Sequence, residues 1–159
     1  MLERESYYLF GKRYLLKIEH TTKKHFVLQS PKFNLACPSK NELGKALKSV
    51  RKLLQTSFKR KIQTCINQYE KILNESIQGF KIQKMKRIWG SCNIAKRALL
   101  FNLELIKAPN EGIEYVVVHE LLHLKTHYHN EYFRDLLGLY LPNWQRAKAS
   151  LKETYLERS

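Results

Sequence analysis

The chain has 159 residues, a mass of 18.9 kDa and ordinary globular composition, 43% hydrophobic and 27% charged. That length fits one domain able to bury a core without disulfide or metal staples, and 6 Gly with 4 Pro exclude collagen-like and low-complexity chains. Lys+Arg outnumber Asp+Glu by 29 to 14, and the excess is uneven: residues 1–90 carry 20 and 6, whereas residues 91–159 carry 9 and 8.

Taken in chain order, the first segment reads as strands. Ser6 to Phe10, a Gly11-Lys12 turn and Arg13 to Ile18 predict a hairpin, because aromatic and branched runs flank a two-residue break. His25 to Gln29 and Lys32 to Cys37 follow as short strands around Ser30-Pro31. Ser39 and Asn41 stand where a helix N-cap belongs. Apolar residues then recur at 43, 47, 50, 54, 58, 62, 66, 69 and 73, which predicts one long amphipathic helix over 41–75, bent near 57–60. Its opposite face carries Lys45, Lys48, Arg51, Lys52, Lys59, Arg60 and Lys61. Gly79 closes this region, and Phe80 to Lys86 alternates apolar with basic residues in the manner of a strand. Trp89-Gly90-Ser91-Cys92 is a compact element whose glycine permits close backbone approach. Ala98 to Leu105 reads as another strand, and Ala108-Pro109-Asn110 stops it and starts a helix over about 111–125. That helix is apolar on most sides and is therefore expected to be buried. Two further helices are expected over about 130–139 and 143–156.

The expected fold class is α+β: a short antiparallel sheet beside a helical layer, preceded by a strand-rich segment and the long helix. A single domain over 1–159 is expected, divided into 1–38, 39–78 and 79–159. The three cysteines, Cys37, Cys65 and Cys92, are scattered and form no CxxC pair, so a reducing, cytoplasmic location is the simpler expectation. Met1 to Glu5 carries early acids and no apolar core of a signal peptide. Apolar runs such as Tyr115 to Val118 are far too short to cross a bilayer, so no membrane partner is expected.

The buried helix contains His119-Glu120-Leu121-Leu122-His123. Positions i and i+4 share a helix face, so two imidazoles can bind one tetrahedral metal, and zinc favours such donors. The intervening Glu120 points near the same face, where it can take a proton from water activated by the metal. A chance match on an ordinary core helix is the competing explanation. Two histidines and a glutamate in the most apolar helix of the chain would cost several kcal/mol unpaired, and a metal supplies the partner. A catalytic site needs a third protein ligand and an open position. His129 lies ten residues after His119, the offset of the third histidine in HExxHxxGxxH, although Thr126 replaces the turn glycine. His127 competes for that role, as do the carboxylates of Glu131 and Glu153. His20 and His25 are expected at the surface. Tyr128 is close enough in the chain to be considered as an oxyanion donor.

Trp89-Gly90-Ser91-Cys92, Asn102 within Phe101 to Ile106, Ala108-Pro109, Tyr115 to Leu124, His129 with Phe133, and Leu141-Pro142-Asn143-Trp144 follow one another in a specific order. In that order and spacing the stretch from Met85 to about Leu151 resembles the YgjP-like metallopeptidase family, relatives of the SprT-like zincins. The first half, a hairpin at Phe10-Gly11-Lys12-Arg13-Tyr14 and then a long helix, is similar in outline. The resemblance implies a small zincin-like domain with its sheet packed on the HExxH helix. It implies His119, His123 and His129 as ligands of Zn2+, Glu120 as the catalytic acid/base and a peptide or protein as substrate. The family usually has Arg directly before Trp-Gly-Ser-Cys, a position held here by Ile88, with Arg87 one place earlier. Cys92 reads as a small residue packed beside the helix, and Trp89 and Trp144 as packing residues.

Three functions fit these features. The first is zinc-dependent peptide hydrolysis. The second keeps the metal and changes the substrate to a nucleoside triphosphate, attracted by the basic charge although no Gly-rich phosphate loop is visible. The third is nucleic-acid association through the basic first half, accessory to catalysis, with a solvated lysine-rich helix face as its plainer explanation.

Overall fold

The early aromatic and branched runs fold as an antiparallel meander. Strands β1 (Leu2–Leu9), β2 (Lys12–His20), β3 (Phe26–Ser30) and β4 (Phe33–Cys37) pair in that order. This computed structural model describes the backbone of residues 2–20, 26–30, 33–37 and 39–156, and the side chains of 8–14 and 39–154. His25 and the side chain of His20 lie outside the described residues. The hairpin turn falls on Phe10-Gly11, one residue earlier than the sequence predicts, since Leu9 pairs with Lys12. Both turn residues have positive φ, 51° and 76°, the requirement of the two-residue hairpin turn that matches strand twist. An aromatic residue there is unfavourable in isolation. Docking of the turn compensates: the Phe10 N–H donates to the Ile106 carbonyl at 2.9 Å and the Gly11 N–H to the Lys107 carbonyl at 3.0 Å. The Lys61 ammonium lies 4.7 Å from the centre of the Phe10 ring.

Helix α1 (Lys40–Leu73) begins on Ser39, whose hydroxyl accepts from the Glu42 N–H at 3.2 Å, and ends on Asn74 in the left-handed conformation. Its apolar stripe is buried at Leu43, Phe58, Ile62, Ile66, Tyr69 and Leu73, while Leu47, Val50 and Leu54 are half-buried. Lys45, Lys48, Arg51, Lys52, Lys59 and Arg60 are exposed, as the spacing predicts.

A second sheet contains β5 (Gly79–Gln83), β6 (Gly90–Asn93) and β7 (Ala98–Asn102) in the order β5-β7-β6. The pairing of β6 with β7 is antiparallel as expected, and β5 joins the other edge of β7 in parallel. Leu99 and Phe101 face the core at 2% and 0% exposure. The predicted strand over 98–105 stops at Asn102, where a 3-10 turn (Leu103–Lys107) begins.

Asn102 explains the stop. Its side-chain oxygen accepts from the N–H of Glu104 (3.0 Å) and of Met85 (3.3 Å). Its amide nitrogen donates to the carbonyls of Met85 and Ile88, both at 2.9 Å. Both donors and both acceptor sites of one buried amide are thereby used, and the loop between β5 and β6 is clamped. Asn102→Ala is expected to destabilise the protein by about 2–4 kcal/mol, measured by urea unfolding, because four backbone groups lose their partner. A loss under about 0.5 kcal/mol would place the clamp among ordinary surface contacts.

Helix α2 (Asn110–Leu122) is covered by α1, by β6 and by two C-terminal helices, α3 (Glu131–Tyr140) and α4 (Trp144–Leu156). Nine of its residues are buried, including Ile113, Val116, Val117, Val118, Leu121 and Leu122, in agreement with its apolar character on most sides. It ends at Leu122, short of the predicted Lys125, because the following residues tighten into i→i−3 bonds. Trp89 and Trp144 both pack against the core. Among the described residues no helix is long and apolar enough to cross a membrane.

Candidate metal centre

The geometry of α2 sets two of the three imidazoles. His119 and His123 lie one turn apart, with ring centroids 5.2 Å apart. The chain must then reverse to bring back a third. Leu124, Lys125 and Thr126 donate to the carbonyls of Leu121 and Leu122 at 2.9–3.0 Å, which completes the turn with no residue at positive φ. The glycine whose place Thr126 takes is therefore not needed here, and Thr126 is itself buried. Asn130 then caps α3 by accepting from the Phe133 N–H at 2.9 Å, which fixes the residue before it.

That residue is His129. Its Nε2 lies 2.9 Å from Nε2 of His119 and 3.1 Å from Nε2 of His123. The three donor atoms all lie within 4.8 Å of one another, and they form the only such His/Cys/Asp/Glu group among the described residues. Phe133, buried beneath them, contacts all three rings at centroid distances of 4.9, 5.2 and 4.9 Å. His127 lines the same cleft but is not one of the converging donors, and neither are Glu131 and Glu153.

The donors are tuned by their surroundings. Burial, followed by the neighbouring imidazoles of His123 and His129 and the Lys148 ammonium, pushes His119 down to about 3. Burial and His129 also lower His123, against an opposing pull from backbone hydrogen bonds at Thr126 and His127. Both groups are therefore neutral at pH 7, the state in which imidazole donates a lone pair. Nδ1 of His119 lies 3.3 Å from the Tyr115 hydroxyl, an arrangement that suits an Nδ1–H donor and leaves the Nε2 lone pair facing the other imidazoles.

Glu120 is 6% exposed, and burial alone raises its carboxyl to about 7. Gly90 on β6 makes its position possible. A Cβ there would come within 3.0 Å of the Glu120 Cγ and 3.2 Å of the Leu100 carbonyl oxygen, so the close approach expected of Trp-Gly-Ser-Cys is made to the glutamate itself. Cys92, half-buried on the same strand, has its thiol pushed up to about 11 by burial and then by Glu120, and it stands outside the donor group. Tyr128 is 74% exposed and does not line the cleft.

The imidazoles and Glu120 open onto a cleft of about 840 Å³ whose walls include Arg87, Ile88, Trp89, Ile94 and Leu151. Sequence reasoning missed Tyr115 and the α4 lysines of this cleft, Lys148 and Lys152. The i−4 spacing from His119 was available for Tyr115. Nothing local marks the lysines, whose placement depends on how α4 packs on α2.

The fold is shared with two archaeal metallopeptidase zymogens of known crystal structure. Abylysin of Pyrococcus abyssi is 20% identical, with a TM-score of 0.52 over 60% of this chain and 93% of that one. Jannalysin of Methanocaldococcus jannaschii is 24% identical, with a TM-score of 0.52 over 58% of this chain and 88% of that one. At these identities the likeness is one of fold. No curated protein matches the sequence. A family model described as a YgjP-like, metallopeptidase domain matches residues 1–154, and the chain belongs to the YgjP-like metallopeptidase family.

Proposed function

We propose that the protein is a zinc-dependent peptidase acting, as a single domain, on peptide or protein substrates. The observation that carries this reading is the convergence of three imidazole nitrogens beside a buried glutamate in an open cleft. Three imidazole nitrogens crowded against one another repel unless a positive charge lies among them, so the donor set fits a metal ion. All-nitrogen donors with a turn-spaced pair favour zinc. His119, His123 and His129 would hold it.

A zinc ion held there supplies Lewis acidity, polarising the scissile carbonyl and lowering the pKa of water. Glu120 takes the proton from the attacking water and returns it to the leaving amine, a task suited to a carboxyl that titrates near neutrality. Tyr115 orients His119, and Phe133 keeps the three rings in place. The free thiols of Cys65 and Cys92 fit a cytoplasmic location.

The test is cleavage of an unfolded protein by the zinc-loaded chain, followed by mass spectrometry. New peptide termini that vanish with a chelator and return with zinc are expected, and intact substrate at one zinc per chain would refute the peptidase reading. Tyr115→Phe is expected to lower zinc affinity by about tenfold in chelator competition while the protein remains folded, since the ring is kept and only the hydroxyl is lost. Unchanged affinity would mean that His119 is oriented by packing alone.

A further inference from the structure

Apart from Glu120, the charged side chains that line the metal-site cleft are cations: Arg87 from the β5–β6 loop, and Lys148 and Lys152 from α4. The overall positive charge of the chain does not account for this. Residues 91–159 carry 9 cations and 8 acids, yet Glu120 is the one described carboxylate in the cleft. Two other cations of this half are ion-paired: Arg146, on the same helix, lies 3.8 Å from Glu111, and Lys125 lies 3.7 Å from Glu75. Lys148 and Lys152 belong to no ion pair among the described residues. They stand at i and i+4, a spacing at which like charges repel. An anion entering between them relieves that repulsion.

Ile88, Ile94 and Leu151 lie among these cations as apolar wall. Such a lining suits amino-acid side chains better than a triphosphate, which favours a cradle of backbone N–H groups. We infer that the cleft selects peptides bearing Asp or Glu side chains close to the scissile bond, held by Lys148, Lys152 and Arg87, an assignment that rests on the peptidase reading above.

Two fluorogenic peptides blocked at both ends and differing only by Glu in place of Gln around the cleavage site provide the test, since blocking removes any terminal carboxylate. On the zinc-loaded protein the Glu peptide is expected to have a kcat/KM about tenfold higher at low salt, with the ratio falling towards one near 1 M salt. The double variant Lys148→Glu, Lys152→Glu is expected to invert the order. Fluorescence anisotropy with zinc-loaded Glu120→Gln protein is expected to rank the two peptides the same way, without turnover. Equal kcat/KM for both peptides, or a preference for Glu that survives the double variant, overturns the selection and leaves the peptidase reading standing. Cleavage of neither peptide, together with phosphate or pyrophosphate release from a nucleoside triphosphate, overturns both.

Discussion

Glu120→Gln is expected to reduce peptide turnover by about 10²- to 10⁴-fold while the protein keeps one zinc per chain. The substitution preserves shape and removes the proton acceptor. Its environment makes it an unusually clean experiment. Glu120 is buried against Gly90, and no other carboxylate among the described residues lines the cleft to take its place. Burial alone holds its carboxyl near 7, so replacing it with a neutral amide leaves no buried charge unpartnered. The fold is therefore expected to survive, and zinc content and unfolding midpoint are the controls. Activity within about tenfold of the parent would move the proton transfer to another group and remove the proposed role of Glu120.

Residues carried by one strong local pattern were legible in the sequence. The HExxH turn, the apolar surround of α2 and the ten-residue step to His129 lie in a single short stretch, and the structure brings those three imidazoles together. The Ser39 cap and the long stripe of α1 were legible for the same reason, since helical spacing repeats over many turns. Features that depend on distant contacts were not. The hairpin turn falls one residue early, on a Phe10 at positive φ whose N–H is held by the distant Ile106 carbonyl. The end of β7 was missed because the partners that Asn102 clamps, Met85 and Ile88, lie well before it in the chain. The parallel pairing of β5 with β7 joins segments about twenty residues apart, and no alternation within either strand encodes it. Tyr115 carried the right spacing, but an aromatic residue on a buried helix reads first as core. Lys148 and Lys152 carry no local signal, since only the placement of α4 brings them to the cleft.

His123→Ala is expected to reduce bound zinc from one per chain to almost none, measured by elemental analysis of protein purified without added metal. Three donors converge here among the described residues, so losing one leaves two, below the three that catalytic zinc sites use. The same ion should also stabilise the fold. Its ligands join the end of α2 to the start of α3, two elements otherwise linked through the tightened turn at 123–126 and the packing of Phe133. A site saturated about a thousandfold above its Kd adds roughly 4 kcal/mol, so chelation is expected to lower the parent's Tm by about 10 °C. The variant should start near that lower value and respond to neither chelator nor zinc. The two readouts separate the causes: a variant that melts early but still binds one zinc would show His123 to be a packing residue, with the metal held elsewhere. A parent whose Tm ignores chelation despite bound zinc would show instead that the core around α2 fixes the three histidines before any ion arrives. The burial of Phe133, Leu121 and Leu122 would then be the source of the site's geometry, and the metal would contribute its chemistry alone.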